Sequence, residues 1–346
     1  MGRDNDMICE VIKAKLKPLE SLLSLPDLVE ISTMRAGEVA LEMTHTGYAF
    51  KEMPELTLDY WTKLCYVLGN KDGVVFDPVN QPRISTRLPG GHRFEAMIGK
   101  SVESGVSVSI RLNRKVPVSF EDFGISKALK EEIINAVEEG QAIIISGGTS
   151  SGKTTFLNLL IQHIPLHKRI LTVEDTRELE LPHRNCVSYI VSRNEKNPTI
   201  DWPQVIDHLM RSRPDIIVAG ELSIANTFAL ISLLDTGHRG FMSTVHSNAC
   251  HLALEETIPT KVHLSGRSIP GISDYLKKTV DWVIQIQKVQ EGSSFQRRVV
   301  EVWQPQQNRF QTLGQPRINL RLTQNQPKAF SPDKQEKKRN KQLLAI

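Results

Sequence analysis

The chain contains 346 residues, of which 40% are hydrophobic and 24% are charged, and its formal net charge is +4. This is the composition of an ordinary soluble globular protein long enough for two domains, and the small charge alone indicates no nucleic-acid partner. The four cysteines are scattered and form no CxxC pair, which argues against a disulfide framework or a zinc knuckle and fits a reducing cytoplasm.

The N-terminal segment is not expected to be a signal peptide. Residues 1–10 include acidic side chains and lack an apolar core, so they do not form a signal peptide. No apolar run in the chain approaches the ~18–20 residues that a bilayer crossing needs. We therefore expect a cytoplasmic protein, and any membrane association it has must be peripheral.

The first third of the chain predicts a mixed α+β domain. Apolar residues recur at helical spacing over residues 7–25, and a second helical pattern over 58–68 ends at Gly69 in the manner of a C-cap. Strand-like patterns accompany these helices. They cover residues 28–32, 38–43, 83–86, 92–98 and 106–112. We place this domain at residues 1–116 and assign residues 117–126 to a linker.

The second predicted domain, residues 127–290, alternates strands and helices. A helix over residues 127–138 precedes the apolar run 142–145, which is typical of a buried strand. Further strands are expected at 170–173, 216–220 and 241–245, and helices at 155–163, 202–210 and 224–235. Such alternation indicates parallel strands with helices on both faces, so ligands are expected beyond the C-terminal ends of the strands.

The loop between the strand at 142–145 and the next helix fits the pattern GxxxxGK[ST]. Backbone N–H groups at a helix start attract phosphate oxygens, and glycine lets the backbone approach them closely. Lys153 then serves the β- and γ-phosphates, and the Thr154 hydroxyl is placed to bind Mg²⁺. The alternative is a plain glycine-rich turn, but the flanking strand and helix favour a phosphate site. The predicted nucleotide-binding residues are Gly147, Gly148, Thr149, Ser150, Ser151, Gly152, Lys153, Thr154 and Thr155.

Polar side chains follow or flank three other strands of the predicted sheet, and they are Glu174, Glu221, His238 and His246. Glu221 is the candidate to orient an attacking water, and Glu174 is a second carboxylate. Together with Thr154, these glutamates form the predicted Mg²⁺ ligand set. The two histidines are candidates to sense the γ-phosphate. Taken singly, each glutamate has the alternative of a solvated loop residue, and each histidine that of a half-buried structural side chain.

Read together, these segments resemble the secretion (traffic) ATPases of type II and type IV secretion, conjugation and type IV pili. The resemblance spans residues 28–285 and rests on four boxes in the same order: the phosphate loop, an Asp box, an atypical Walker B segment and a His box. The last three lie at 171–179, 211–221 and 236–246. Two regions of the N-terminal domain also match, at 29–39 and in the arginine-bearing strands at 91–94 and 109–111. The resemblance implies an α/β fold in which a RecA-like P-loop NTPase domain follows a mixed α+β N-terminal domain.

The resemblance assigns roles to the polar residues at the strand ends. Glu221 would be the Walker B glutamate, which acts on the water or on Mg²⁺, and Glu174 would complete that network. His238 and His246 would be the paired histidines of the His box. Eight positions separate them, as in the type IV secretion and conjugation branch, and the tetracysteine module typical of the type II branch does not fit the cysteine positions.

The resemblance also implies arginines that reach the phosphates. Arg93 and Arg111 would approach from the N-terminal domain when the domains close, and the alternative for both is a surface salt bridge. Arg211 or Arg213 would touch the nucleotide of a neighbouring subunit. One departure matters, because Ser223 stands where the family usually has an arginine, two positions after the Gly-Glu pair.

The implied function is an ATPase motor that hydrolyses ATP, with Mg²⁺, to power substrate transfer or pilus assembly in a type IV secretion or conjugation machine. The family further implies a homohexamer that lies in the cytoplasm, peripherally associated with the inner membrane, with inner-membrane components of the machine as partners. The nucleotide would lie between two domains that close about the linker at 117–126. Two alternatives stay open. One is a DNA-translocating motor on the same fold, which predicts stimulation by DNA, and the other is a nucleotide-gated scaffold with little turnover.

The C-terminal extension, residues 291–346, differs in composition from the rest of the chain. From residue 303 onward it is rich in Gln, Asn, Pro and Lys, and it contains the basic run 337–339. This composition favours a partly disordered, solvated tail. The alternative is a segment that contacts a partner or an anionic membrane surface.

Overall fold

The computed structural model describes residues 2–44, 47–113, 118–191, 201–235, 240–291 and 294–313. Within these ranges the backbone forms two β-sheets, one of six strands and one of eight. None of the described helices combines the length and the apolar character that a bilayer crossing requires. The basic run at 337–339 and His238 lie outside the described residues.

The six-stranded sheet belongs to the N-terminal part of the chain. Its strands are β1 (Leu28–Arg35), β2 (Glu38–Met43), β3 (Gly47–Glu52), β4 (Arg83–Arg87), β5 (Arg93–Ile98) and β6 (Val106–Arg111). Their spatial order is β3-β2-β1-β6-β5-β4, and every neighbouring pair is antiparallel. Helices α1 (Gly2–Leu23) and α2 (Leu58–Asp72) share one apolar core with this sheet, which includes Ile12, Trp61 and Phe94.

Helix α2 ends four residues later than the sequence pattern predicts. The Thr57 side chain caps its start by accepting a hydrogen bond from the Tyr60 N–H, and Gly73 ends it in the left-handed region at φ 67°. Gly69 therefore lies inside the helix, and the predicted C-cap there is wrong. A side chain at this position would place its Cβ 2.6 Å from the Val74 carbonyl oxygen, so the need for glycine comes from close packing and not from a turn.

The eight-stranded sheet carries the segments that resemble an ATPase. Its strands are β7 (Ile143–Gly147), β8 (Ile170–Glu174), β9 (Cys186–Ile190), β10 (Ile216–Ala219), β11 (Phe241–His246), β12 (Trp282–Glu291), β13 (Ser294–Gln304) and β14 (Arg309–Thr312). The order is β14-β13-β12-β7-β11-β10-β8-β9, parallel from β12 to β9 and antiparallel at β13 and β14. The domain boundary predicted at residue 290 falls at the tip of the β12–β13 hairpin, so residues 294–312 continue the sheet.

Helices cover both faces of this sheet, as the alternating pattern predicts. They are α3 (Lys127–Glu138), α4 (Lys153–Ile161), α5 (Trp202–Arg211), α6 (Thr227–Ile231), α7 (Cys250–Leu252), α8 (Ile258–Leu264) and α9 (Ile272–Thr279). Ile143 and Ile145 of β7 pack in one apolar cluster with residues of α3 and α4. Ile144 points to the opposite face and joins the second cluster with residues of α5, α6 and α8.

Helix α6 is shorter than the predicted span of 224–235. The residues before it form a turn in which the Asn226 side chain accepts a hydrogen bond from the Ser223 N–H at 2.7 Å. The same amide group donates to the Glu221 carbonyl at 3.0 Å. Because these bonds hold the backbone in a turn, the helix begins only at Thr227.

The described part of the predicted linker packs against the second sheet's helical layer. Phe120 and Phe123 are buried, and both rings meet Phe156 of α4 edge to face, with centroids 5.9 and 4.9 Å away. Such aromatic pairs add stability beyond the area that they bury. Residues 118–124 are therefore anchored to the helix that begins at Lys153.

Candidate functional site

Four neighbouring parallel strands bring the candidate residues to one edge of the eight-stranded sheet. Strand β7 leads into the phosphate loop, β11 ends at His246, β10 precedes Glu221, and β8 ends at Glu174. These strands lie side by side in the order β7-β11-β10-β8. Because the C-terminal ends of parallel strands meet at the same edge, residues far apart in sequence converge here.

The phosphate loop, residues 147–154, has the backbone shape that its glycines predict. Gly152 lies at φ 96° directly before α4, which begins at Lys153. A Cβ atom on Gly147 would lie 2.4 Å from the Ile286 carbonyl oxygen, and one on Gly152 would lie 2.7 Å from Cδ of Arg297. Both positions therefore require glycine for space, and Gly152 also requires it for its conformation.

Lys153 is buried at the mouth of this loop. Its side chain is 7% exposed, and its Nζ donates to the carbonyl oxygens of Gly147 and Gly148 at 3.1 and 2.7 Å. Burial lowers the pKa of the Lys153 amine to about 8, while the negative charge of Glu221 opposes that shift. The amine thus lies among the groups that would surround a phosphate.

His246 connects Lys153 to Glu221. Its Nδ1 lies 3.3 Å from Nζ of Lys153, and its Nε2 lies 3.7 Å from Oε1 of Glu221. An ammonium group at Lys153 makes Nδ1 the acceptor, which leaves the Nε2 proton facing the carboxylate. The strand register brings His246 close to both partners. His246 of β11 pairs with Gly147 at the start of the phosphate loop, and the Thr244 hydroxyl donates to the Gly220 carbonyl, next to Glu221, at 2.7 Å.

Glu174 lies deeper than a loop carboxylate. It is 2% exposed, and its Oε1 accepts hydrogen bonds from the N–H groups of Glu178 and Leu179 at 2.7 and 2.9 Å. Its Oε2 is buried with no hydrogen-bond partner among the described residues. Burial raises the pKa of this carboxyl to about 7, although the two N–H groups favour its charged form. Gly220 makes room for Glu174, whose Cγ would lie 3.2 Å from a Cβ there.

A cleft of about 890 Å³ opens between the six-stranded sheet and α4. Thr154 and Thr155 of the predicted nucleotide-binding segment line it from one side. Arginines of the six-stranded sheet line it from the other, and they are Arg87, Arg93 and Arg111; Arg177, which follows β8, lines it as well. The cleft therefore joins the start of α4, at the end of the phosphate loop, to a concentration of positive charge.

Three of these arginines form one row across the sheet. Arg87 on β4 pairs with Arg93 on β5, and Arg93 pairs with Arg111 on β6. Like charges directly opposite one another on neighbouring strands repel. Carboxylates offset part of this repulsion, since Arg93 lies 3.3 Å from Glu95 and 3.9 Å from Glu178. Sequence reasoning identified Arg93 and Arg111 but missed Arg87, which only the strand register reveals.

The remaining predicted residues are less informative. His238 lies outside the described residues. Arg211 pairs with Asp207 at 2.9 Å on the exposed side of α5, and Arg213 adopts a positive φ of 51°.

Ser223 is buried, and the neighbouring Leu222 carbonyl accepts a hydrogen bond from Lys261 at 2.8 Å. Sequence reasoning missed this lysine, because nothing in the pattern of α8 relates it to the turn after β10.

Comparisons with known proteins identify the family of the chain. Residues 80–289 match the family described as "Type II/IV secretion system protein". The chain is 32% identical to the conjugal transfer protein TrbB of Rhizobium radiobacter, over 67% of this chain and 71% of that protein. It is 30% identical to the type IV secretion system protein PtlH of Bordetella pertussis, over 83% of this chain and 93% of that protein.

A solved structure shows the same fold. The Legionella pneumophila ATPase DotB superposes with a TM-score of 0.58 at 15% identity, covering 86% of this chain and 81% of that one. This likeness concerns the fold alone, whereas the family match covers more than half of the chain. The resemblance predicted from the sequence is thus confirmed: the chain belongs to the type II/IV secretion system protein family.

Proposed function

We propose that the protein is an ATPase motor, which hydrolyses ATP to ADP and phosphate to drive substrate transfer or pilus assembly in a type IV secretion or conjugation machine. The observation that carries this proposal is the contact chain from Lys153 through His246 to Glu221 beside the phosphate loop. The names of TrbB and PtlH, which refer to conjugal transfer and type IV secretion, support the choice of machine.

Binding would engage both sides of the cleft. The phosphate loop and Lys153 would hold the β- and γ-phosphates, since helix-start N–H groups and an ammonium suit dense negative charge. Arg93 and Arg111 would contact the same phosphates from the six-stranded sheet, because arginine stays charged and its fork matches phosphate oxygens. The triphosphate would then draw the two sides together, and loss of its terminal phosphate would weaken that attraction.

Hydrolysis would depend on Glu221, whose side chain is partly exposed at the end of β10. A carboxylate there can accept a hydrogen bond from the attacking water and orient it. His246 would hold the Glu221 carboxylate through its Nε2 proton while its Nδ1 faces Lys153. A change at the phosphates would thereby reach Glu221 through one side chain.

The residues beside the phosphate loop fit Mg²⁺. This ion commonly uses one or two carboxylates together with substrate phosphates, so it needs no cage made of protein alone. The described part of the chain contains no group of three or more His, Cys, Asp or Glu side chains that could hold a metal ion. Thr154, Glu221 and Glu174, whose buried Oε2 has no hydrogen-bond partner among the described residues, would provide oxygen ligands. When bound, the ion would neutralise phosphate charge.

The assembly and its location follow from family membership as further proposals. We place the protein in a homohexamer in the cytoplasm, peripherally associated with the inner membrane and in contact with inner-membrane components of the machine. A nucleotide-gated scaffold is a second candidate, because Ser223 replaces the family's usual arginine. Mass measurement of the purified protein in solution tests the hexamer directly.

Steady-state phosphate release from the purified full chain tests the activity and separates the candidates. We expect turnover of ATP, with stimulation by vesicles of anionic phospholipid and little response to DNA. Strong stimulation by DNA that fades steeply with salt would favour the DNA-translocating motor. ATP binding without turnover under every condition would favour the scaffold and contradict our proposal.

A further inference from the structure

The β12–β13 hairpin touches three other parts of the chain. Arg297 of β13 reaches the phosphate loop, and Lys288 of β12 forms an ion pair with Glu42 of the N-terminal sheet at 3.2 Å. Arg298, the next residue on β13, packs against Gly124 of the linker. Lys288, Arg297 and Arg298 lie beyond residues 28–285, the segment that resembles the secretion ATPases, so the sequence motifs assign no role to these side chains.

Arg297 lies directly against the backbone of the phosphate loop. Its Nε donates to the Ser150 carbonyl oxygen at 3.4 Å. Its Cδ lies 2.7 Å from the position that a Cβ atom of Gly152 would occupy, so the aliphatic stem covers the last glycine before α4. Ser150 itself has a positive φ of 57°, which is uncommon for a residue with a side chain. Arg297 thus bonds to the phosphate loop at Ser150, a residue with an uncommon backbone conformation.

The charge of Arg297 belongs to a cluster of cations around the loop. Burial is the main cause that lowers the pKa of the Arg297 guanidinium, and the nearby charge of Arg111 adds to it. Arg111 also lowers the pKa of the Lys153 amine. The negative charge of Glu42 raises the pKa of Arg297, and that of Glu221 raises the pKa of Lys153, so each partly offsets these shifts. Arg111 of β6 therefore acts electrostatically on both Arg297 of β13 and Lys153 of α4.

We propose that Arg297 is a positioning residue of the nucleotide site, which holds the phosphate loop at Ser150 and adds its charge to those of Lys153 and Arg111. This inference rests on the proposed ATPase function and names a residue that neither the motifs nor the matched family segment includes. The ligand is a nucleoside polyphosphate, because the cluster offers more positive charge than a single phosphate needs. Its contribution to affinity should grow with the number of phosphates, since the interaction is electrostatic.

The chain provides a matched control for this charge. Arg298 occupies the next position on the same strand, and its side chain donates a hydrogen bond to Gln296 at 2.7 Å and packs against Gly124. Successive side chains on a strand point to opposite faces, so Arg298→Gln removes the same charge from the other side of the hairpin. Arg297→Met keeps an aliphatic stem over Gly152 and removes only the guanidinium. Arg297→Lys keeps the charge and loses the fork.

Calorimetric titration of the full chain with AMP, ADP and ATP tests the inference. Relative to the wild type, Arg297→Gln and Arg297→Met should weaken ATP binding about tenfold, ADP binding less, and AMP binding by no more than twofold. Arg297→Lys should recover most of the affinity for ATP, and Arg298→Gln should match the wild type within about twofold. The thermal unfolding of each variant is recorded alongside, so a conclusion can be drawn from whichever charge-removing variant folds.

Two results overturn the inference. An equal loss of affinity for all three nucleotides would show that Arg297 only shapes the fold. Wild-type affinity in Arg297→Gln, with affinity lost in Lys153→Ala, would remove Arg297 from the site and leave the proposed function intact. A wild-type protein that binds none of the three nucleotides would instead contradict the proposed function, and the inference would fall with it.

Discussion

Replacing Glu174 with glutamine should change how stability depends on pH. Burial raises the pKa of the Glu174 carboxyl from 4.5 to about 7. Between these values the folded protein keeps a proton that the unfolded chain has lost, so stability falls as pH rises. Each pH unit in this window lowers the free energy of unfolding by about 1.4 kcal/mol. Between pH 5 and pH 8 the free energy of unfolding should therefore fall by roughly 2 to 3 kcal/mol because of Glu174.

Glutamine is a suitable replacement because it removes this titration and keeps an oxygen acceptor for the N–H groups of Glu178 and Leu179. Urea unfolding of the wild type and Glu174→Gln at pH 5, 6, 7 and 8 gives the free energies. The free energy of unfolding of the wild type, minus that of Glu174→Gln, should fall by about 2 to 3 kcal/mol from pH 5 to pH 8. Glu131→Gln, an exposed change on α3, serves as the control and should show no such trend. A difference that stays constant with pH would refute the reasoning about Glu174.

Further expectations concern catalysis, binding and the linker. Glu221→Gln should still bind ATP but lose at least about a hundredfold in turnover, because it removes the group that orients the water; unchanged kcat would reassign that role. Arg111→Gln should raise KM for ATP about tenfold, whereas Arg35→Gln, which breaks an exposed ion pair, should leave KM unchanged. Phe123→Ala should lower the free energy of unfolding by about 3 to 5 kcal/mol, well beyond the effect of Phe310→Ala at an exposed ring, and equal effects would argue against an anchored linker.

The buried parallel strands could be predicted because each has a local sequence pattern that is typical of such a strand. Ile143 to Ile145 and Ile216 to Ala219 are continuous apolar runs, which parallel strands covered on both faces require. Since parallel strands must share a C-terminal edge, Glu174, Glu221 and His246 could be placed at one site before the structure was known. Secondary structure and the site's outline therefore followed from periodicity and topology together.

The hairpin of β12 and β13 could not be predicted in the same way. Its sequence alternates or mixes Gln, Lys and Arg with apolar residues, and it lacks the continuous apolar run that marks the buried parallel strands. Pairing with β7 buries Gln285 and Ile286, while Arg297 and Arg298 take opposite sides of the sheet's edge. Burial in this hairpin depends on a partner strand about 140 residues away, which local patterns do not report.

Two other features, the row of arginines and the place of Gly69 inside α2, depend on contacts that local sequence does not report. Arg87, Arg93 and Arg111 share a row because three strands pair without slippage at that level, and no local signal specifies such a row. Gly69 was assigned to a helix end because glycine is frequent there, whereas the structure needs it for contact with the Val74 carbonyl. In both cases a long-range or tertiary contact decided the outcome and local propensity did not.

The central claim is that ATP is hydrolysed at the phosphate loop with the help of Lys153. The most direct measurement is phosphate release from ATP by the purified wild-type chain and by Lys153→Ala under the same conditions. We predict steady turnover in the wild type and none above background in the variant, because the variant lacks the amine beside the Gly147 and Gly148 carbonyls. Equal turnover in the two proteins would contradict the account.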